Sequence, residues 1–385
     1  MSKIEQLIQE LCPDGVEYVA LGDAESSGLV TMGRGKVISK KSLEETPGNY
    51  PVYSSSATGS GEFGRYGDFM FDDERITWSI DGGGKFFYRP KHRYSVTNVS
   101  GWMTSDSSVL SLKFLYQSLI SQWAREEFDY TRKAHPSVIR EVYKIPLPSI
   151  EVQEEIVRVL DSFMELEREL EQEIAGREKQ FNNVREELIA NSDSPRVPVG
   201  NTATRVSTGA TPKAGESRYY QGGDIPWLRT GEVNFGEIWE TEKLITQDAL
   251  EETNVSWIEE NCVIVAISGA TAGRVAVNKI PMTTNQHCCN MQIDPDQANY
   301  RYIFHALASQ YEELKAQGRG ARGDLNTSLI KGFPIPLPPL EVQEEISTKL
   351  DTFTEYIDNL KRERELRQKQ YEHYRDQLLD FKVKE

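Results

Sequence analysis

Long apolar runs are missing from this chain of 385 residues. The longest, such as Cys262–Ile267, fall far short of the roughly 20 residues that span a bilayer. The opening stretch MSKIEQLIQELCPDG carries charges where a secretion signal needs an apolar segment. A cytoplasmic protein without membrane contact is expected. Cysteine is scarce as well: Cys12, Cys262, Cys288 and Cys289 form no CxxC pair and no framework of a small secreted domain, so disulfides are not expected to hold the fold. His287 beside Cys288 and Cys289 resembles a metal grouping, but adjacent residues of an extended chain point to opposite faces and no second ligand cluster exists. A half-buried strand without metal is the expectation there.

Catalytic motifs are absent too. No HExxH, GxSxG or kinase set occurs, nor the Asp/Asn-Pro-Pro-Tyr/Phe motif that marks adenine methyltransferases. IDGGGKF at Ile80–Phe86 lacks the spacing and the Lys-Ser/Thr ending of a P-loop, and SGATAGR at Ser268–Arg274 has too few glycines for a dinucleotide fingerprint. Both read as turns between strands. The carboxylates crowded at Glu151–Glu155 are explained by solvent and the start of a helix. The chain is therefore expected to carry no catalytic residue, no metal and no cofactor of its own.

Charge of one sign is in excess, −16 overall, which on its face argues against nucleic acid. Its distribution changes that reading. Residues 1–150 hold 17 Lys/Arg against 19 Asp/Glu and residues 192–340 hold 13 against 17, whereas residues 151–191 hold 5 against 12 and residues 341–385 hold 9 against 12. Most of the acidity thus lies in two short segments. The two larger blocks are close to neutral, which leaves room for a basic face on each without demonstrating one.

What the chain does have is a repeat. IPLPSIEVQEEIVRVLDSFMELERELEQEIAGREKQFNNVREELI, residues 145–189, returns at a constant offset of 190 as residues 335–379, with 21 of 45 positions identical. Each copy opens on alternating prolines, Pro146 and Pro148 or Pro336 and Pro338, which suit an extended lead-in to a helix. Apolar residues then recur at Ile156, Leu160, Phe163, Leu170, Ile174, Phe181, Val184 and Leu188. The second copy places Ile346, Leu350, Phe353, Ile357, Leu360, Tyr371, Tyr374 and Leu378 on the same kind of seam. A single amphipathic helix would be expected to lie against its own domain. Two matched helices with charged outer faces predict an antiparallel coiled coil instead. Arg364 and Arg367 break the second seam, as register-setting polar positions or as contacts to another subunit.

The layout is block, helix, block, helix. Its boundaries are residues 1–144, 145–191, 192–334 and 335–385, with NSDSP at Asn191–Pro195 opening the second block. Both blocks read as mixed α/β with short strands punctuated by Gly and Ser. They also answer one another in order. Leu21-Gly22-Asp23 matches Val199-Gly200-Asn201, Tyr50-Pro51-Val52 matches Ile225-Pro226-Trp227, Lys85 matches Arg274, Thr97-Asn98 matches Thr284-Asn285, and Ser137–Arg140 matches Ser328–Lys331. The fold class is α+β, with two related blocks, two long helices and a pseudo-twofold internal repeat. Divergent loops on a shared scaffold are what a change of binding specificity looks like.

The twin IPLP-x-x-EVQEEI lead-ins, GATPK at Gly209–Lys213 followed by GGDIPWLRTGEV, SGATAGRVAV with a following TTNQ at Thr283–Gln286, and GNYPVYSSS at Gly48–Ser56 together resemble the specificity subunits of type I restriction-modification enzymes. The resemblance covers essentially the whole chain. It implies that each block is a target-recognition domain reading one half of a bipartite duplex DNA sequence, and that the helices set the spacer. It further implies that two methyltransferase subunits dock on the helices and bring S-adenosylmethionine, and that restriction subunits join with ATP and Mg. Residues 1–22 contain a short helical stretch, Ile4–Leu11, with no counterpart before the second block; in this family an N-terminal segment can pack near the C-terminal helix. One rival is a two-domain coiled-coil scaffold for a ligand other than nucleic acid, and a second is an enzyme with an unrecognised site around His92 or His287.

Base readout needs Arg, Lys, Asn, Gln, Ser or Thr at base edges, and phosphates accept any positive charge. The candidates in the first block are Arg34, Lys36, Lys40, Lys41, Arg65, Lys85, Arg89, Arg132 and Lys133. In the second they are Thr211, Lys213, Arg229, Thr230, Arg274, Asn285, Gln286, Arg319, Arg322 and Asn326. A solvated surface charge is the plain alternative for each. Changing Arg319 and Arg322 together to Ala is expected to weaken DNA binding and its salt dependence without disturbing the fold, measured by titration over a salt series; unaltered binding removes the pair from the interface.

Overall fold

The computed structural model describes residues 3–55, 59–129, 131–190, 193–318 and 323–384. The chain divides into two units, Met1–Glu171 with Arg362–Glu385 and Gln172–Lys361. Each unit combines one block with the start of the long helix that follows it and the end of the other long helix.

In the first unit the strands are β1 (Glu17–Ala20), β2 (Val30–Arg34), β3 (Tyr50–Tyr53), β4 (Glu62–Tyr66), β5 (Arg75–Ser79), β6 (Phe86–Arg89), β7 (Ser95–Val96), β8 (Ser100–Ser105) and β9 (Lys144–Leu147). They form an antiparallel sheet β2-β8-β5-β6, a small sheet β4-β3-β7 in which β3 and β7 run parallel, and a pair β1-β9. The prolines of the lead-in fit this arrangement, because Pro146 lies on a strand with a single partner, where a missing N–H is tolerated. Helix Leu112–Trp123 covers the larger sheet, and Trp78, Phe86, Phe114, Leu115, Leu119 and Tyr143 fill the core beneath it.

The second unit repeats this plan. Its strands are β10 (Arg196–Pro198), β11 (Ala203–Thr208), β12 (Ile225–Leu228), β13 (Glu237–Ile238), β14 (Leu244–Ile245), β15 (Trp257–Ile258), β16 (Val263–Ala266), β17 (Val275–Asn278), β18 (Met282–Thr284), β19 (Cys288–Ile293) and β20 (Pro334–Pro336). The sheets are β11-β19-β16-β17-β13, β14-β12-β18-β15 and β10-β20. Removing the edge strands β13 and β15 leaves the order of the first unit. The strand carrying Cys288 and Cys289 is buried on both faces over Cys288–Met291 rather than half-buried, because β19 is an interior strand with a core on either face: Cys289 packs in one cluster and Cys288 in the other. Burial raises both thiols to about 12, so they are packing groups.

Hydrogen bonds align the two blocks more finely than sequence does. Ser79 and Ala266 donate to the carbonyls of Lys85 and Arg274, so the match of Lys85 to Arg274 holds. Thr97 and Asn285 donate to Tyr53 and Leu228, which are themselves equivalent. Thr97 therefore corresponds to Asn285, one residue away from the pairing that the shared Thr-Asn dipeptide suggested.

The long helices span Ile150–Arg185, continued by a π turn at Glu186–Ala190, and Leu340–Leu378. Each is fastened at its start by the same glutamine. Gln153, wholly buried, accepts from Ser111 N at 2.9 Å and donates to the carbonyls of Val109 and Pro148, both at 2.9 Å. Gln343 accepts from Asn299 N at 2.9 Å and donates to Pro338 O at 2.7 Å. Ser111 and Asn299 are the N-caps of helices Leu112–Trp123 and Tyr300–Ser309, so one carboxamide ties lead-in, long helix and block together. An ion pair repeats the tie about two turns further along each long helix: Lys113–Asp161 at 2.5 Å and Arg301–Asp351 at 2.5 Å. Burial by itself pushes the Asp351 carboxyl up, but hydrogen bonds from His305 and Arg301 hold it down at about 2.

The helices pair antiparallel within each unit. In the first, Phe163 stacks on Tyr374 at 5.6 Å while Glu171 meets Arg364, so rising numbers on one helix meet falling numbers on the other. In the second, Phe181 meets Phe353 at 5.7 Å and Glu173 accepts from Tyr356 at 3.0 Å. Arg364 is thus a register contact, held by Glu171 and Glu167, whereas Arg367 pairs with Glu363 on its own helix. Beyond the seam, Leu379 and Phe381 enter the core of the first block and Ile189 that of the second.

The N-terminal helix, Lys3–Leu11, also belongs to the first unit. Ile4 is buried in its core and Lys3 reaches Glu155 at 2.9 Å. Hydrogen bonds from Arg158 and Lys3 hold the Glu155 carboxyl at about 2. Val16 and Val383 form a parallel bridge, with Val16 N donating to Lys382 O at 2.8 Å and Lys384 N to Val16 O at 3.0 Å, so this segment does pack on the C-terminal one.

Gln153→Ala should raise amide exchange over residues 109–115 while residues 297–303 stay protected, and Gln343→Ala should do the reverse. Each loss is expected to cost about 1–3 kcal/mol, since a buried amide is left without its acceptor. Hydrogen–deuterium exchange read by mass spectrometry checks this, and equal changes in both segments would show that the ties are not separate.

Candidate nucleic-acid interface

A strand that ends must hand its chain to a connection, and in each unit five such segments are bonded together at one end of the sheets. In the first unit Lys36 N donates to Val96 O at 3.1 Å, bringing the segment after β2 onto that after β7. Ser54, just past β3, bonds Thr97 through their hydroxyls at 2.9 Å, and Ser55 bonds Ser79 at 2.7 Å. The β5–β6 turn follows, with Ile80 N donating to Val99 O at 3.0 Å and Ala134 N to Ile80 O at 3.1 Å. The last bond brings in the segment before helix Pro136–Val142.

The second unit builds the same cluster from different side chains. Ala210 N donates to Thr284 O at 3.0 Å, Ile267 N to His287 O at 2.8 Å and Leu325 N to Ile267 O at 2.9 Å. Thr230 and Asn285 bond each other at 3.2 Å, and Thr271 Oγ1 donates to Thr230 O at 2.9 Å. Two glycines permit the closest approach. A Cβ on Gly35 would lie 2.1 Å from Val96 O, and one on Gly209 1.8 Å from Thr284 O.

The candidates from sequence sort against this geometry. Lys36 and Lys85 belong to the first cluster, Lys36 exposed and Lys85 half-buried with its ammonium over Phe87. Arg34 is spent on the cluster itself, donating through Nε and Nη2 to Asn98 O at 3.1 and 2.6 Å. Arg132 and Lys133 lie in its last segment, paired with Glu126 and Asp81 at 3.0 Å each. Lys40 and Lys41 sit on helix Lys40–Glu45, which packs on β4. Arg65, on β4 opposite Pro51 and paired with Glu62, stands toward the end of β3 remote from Ser54. Arg89 is not open to a phosphate: it is 6% exposed, lies over Tyr53 at 3.6 Å and donates to Thr77 at 3.0 Å. The reason is position, since Lys85 precedes β6 and Arg89 ends it, roughly 13 Å apart at strand rise.

In the second unit Thr211 and Gln286 meet through their side chains, both exposed, and Lys213 is exposed nearby in sequence. Arg274 donates to Asn234 at 2.9 Å. Thr230 and Asn285 are each only 9% exposed, so they brace the cluster rather than face solvent. Arg229 is held by Glu232 and Glu242. Asn326 accepts from Leu329 N at 2.9 Å as the N-cap of helix Thr327–Lys331. Arg319 and Arg322 lie outside the described residues. Lys315, over Tyr311 at 5.1 Å and within reach of Gly273, is a cation that the sequence reading passed over; its only signal was a place four residues before Arg319.

The type I restriction modification DNA specificity domain family matches residues 13–175 and again 203–368. The chain belongs to this family. It is 29% identical over 296 residues to the specificity subunit of an Escherichia coli type I restriction enzyme, covering 72% of each chain. A putative type I specificity subunit of Mycoplasma pneumoniae is 26% identical over 358 residues, covering 90% of this chain and 94% of that one. Among solved structures, the type I specificity subunit of M. genitalium superposes with a TM-score of 0.59 at 16% identity, over 95% of this chain and 96% of the other, which shows a shared fold. Membership makes this chain a DNA-recognition subunit of a multi-subunit type I system.

His92 bonds Pro90 O and Tyr53 OH and stacks on Tyr94, and His287 bonds Gln286. Among the described residues no helix is long and apolar enough to cross a membrane, and no group of His, Cys, Asp and Glu is placed to hold a metal ion.

Arg89→Ala is expected to destabilise the first block by about 2 kcal/mol, through lost stacking on Tyr53, and to leave the salt dependence of DNA binding unchanged. Lys85→Ala should do the opposite: stability within about 0.5 kcal/mol, and a slope of log K against log salt lower by about 0.9. Denaturant unfolding and binding over a salt series separate the two.

Proposed function

We propose that each block reads one half of a bipartite duplex sequence through its five-segment cluster, and that the paired long helices hold the two readings at a set spacing. The observation that carries this is the duplication of the cluster: one scaffold, built once per unit, with different side chains at its surface. Two readers with different surfaces suit two different half-sites. The acidic outer faces of the helices make poor DNA contacts and good docking sites for protein. In this reading they receive two methyltransferase subunits, which bring S-adenosylmethionine for N6-adenine methylation, and restriction subunits join with ATP and Mg. The chain itself contributes recognition and no catalysis.

N6-methyladenine mapped across the DNA of cells carrying the complete system should reveal one motif made of two short specified halves around an unspecified spacer of fixed length. A single contiguous motif, or none that depends on this chain, counts against the two-reader proposal. In vitro, the complex with its methyltransferase subunits should prefer that motif over random duplex by about a thousandfold or more.

A further inference from the structure

We infer that Asn98 and Gln286 are the equivalent base-reading positions of the two blocks, each recognising an adenine of its own half-site through the carboxamide. This rests on the reading of the blocks as DNA readers and adds the residue and the base.

The equivalence comes from backbone bonds. Thr97 N and Asn285 N bond the ends of β3 and β12, at 2.9 Å each. Val99 O and His287 O accept from Ile80 and Ile267 at 3.0 and 2.8 Å. Between these two fixed points stands one residue in each unit. Its predecessor is buried and bonded inward, Thr97 to Ser54 and Asn285 to Thr230, and the residue itself stands in a tight turn closed by Ser100 N on Thr97 O at 3.0 Å and by Cys288 N on Asn285 O at 3.2 Å. Gln286 is exposed and Asn98 half-buried. Both are carboxamides, although the surrounding residues differ.

The first is held through its backbone and the second through its side chain. In the first unit Arg34 clamps the Asn98 carbonyl with two hydrogen bonds, and Trp102 Nε1 in turn donates to Arg34 O at 3.1 Å. The Asn98 side chain makes no hydrogen bond among the described residues. In the second unit the longer side chain of Gln286 accepts from Thr211 Oγ1, while its Nε2 lies 3.2 Å from His287 Nε2. A carboxamide offers one donor and one acceptor side by side, the pattern that matches N6 and N7 of adenine in the major groove. Carrying no charge, it adds selectivity without adding to the sequence-independent attraction for phosphates. Arg34 acts as a positioning residue for Asn98.

The full chain, assembled with its methyltransferase subunits, is challenged with a library of randomised duplexes, and bound sequences are read for wild type, Asn98→Ala, Asn98→Asp, Gln286→Ala, Gln286→Glu and Arg34→Lys. Wild type should return two specified half-sites. Asn98→Ala should lose about ten- to a hundredfold preference for adenine at one position of one half, and Gln286→Ala at one position of the other, with the salt slope unchanged. The near-isosteric Asn98→Asp and Gln286→Glu variants guard against misfolding and should lose the same adenine preference, and Arg34→Lys should blur the position that Asn98→Ala blurs. If wild type is specific but the alanine variants select the same sequence, or lose affinity equally for every sequence, the inference is overturned while the two-reader proposal stands. If wild type selects no sequence at all, the two-reader proposal itself has failed.

Discussion

A long helix can lead a domain only if its rotation about its own axis is fixed at the start, and here one buried glutamine fixes it. Gln153 and Gln343 each bond the proline lead-in behind them and the N-cap amide of a block helix, so lead-in, helix and block cannot turn independently. With that phase set, Ile156 and Leu160 face one core and Ile346 and Leu350 the other. The repeated run around the glutamine is not simply a buried run: Val152 is wholly buried whereas Val342 is 40% exposed. What both copies share is the wholly buried carboxamide, whose removal would strand a buried amide and carbonyls without partners.

The blocks show the complementary behaviour. Their central strands keep one order, and their edges accept change: β13 and β15 exist only in the second unit, each added where an unpaired edge could take another strand. The five-segment cluster sits where strands end, held by backbone bonds that do not depend on side-chain identity. That separation lets the surface vary while the support persists. Charge follows part of the same division: most of the excess acidity lies on the long helices, while Lys36 and Lys85 lie in the first cluster and Arg274 in the second.

Much of this was legible in the sequence because it is periodic. A repeat at constant offset needs no structure to be seen, and a seam at Ile156, Leu160 and Phe163 already names the face that will be covered. The charged candidates were less legible, because a cation's partner is a matter of spatial proximity. Arg229 looked available until Glu242 met it from another segment, and Arg89 looked like a surface arginine although β6 carries it away from Lys85 and under Tyr53. Asn98 was hidden for another reason: the dipeptide Thr-Asn occurs in both blocks, and its chance identity shifted the match by one residue. That one residue separates the buried Thr97 and Asn285 from the turn residues Asn98 and Gln286 beside them.

The sequence by itself determined the duplication, the pairing of two helices and the α+β character of both blocks, since these follow from offset, period and proline placement along the chain. Only the tertiary structure decided which residue ties each helix to its block, which cations stay free and which carboxamide faces outward. Those depend on contacts between segments far apart in sequence, such as Ser111 with Gln153, Val16 with Val383 and Thr97 with Tyr53. No pattern along a single chain records which of its many polar groups will meet.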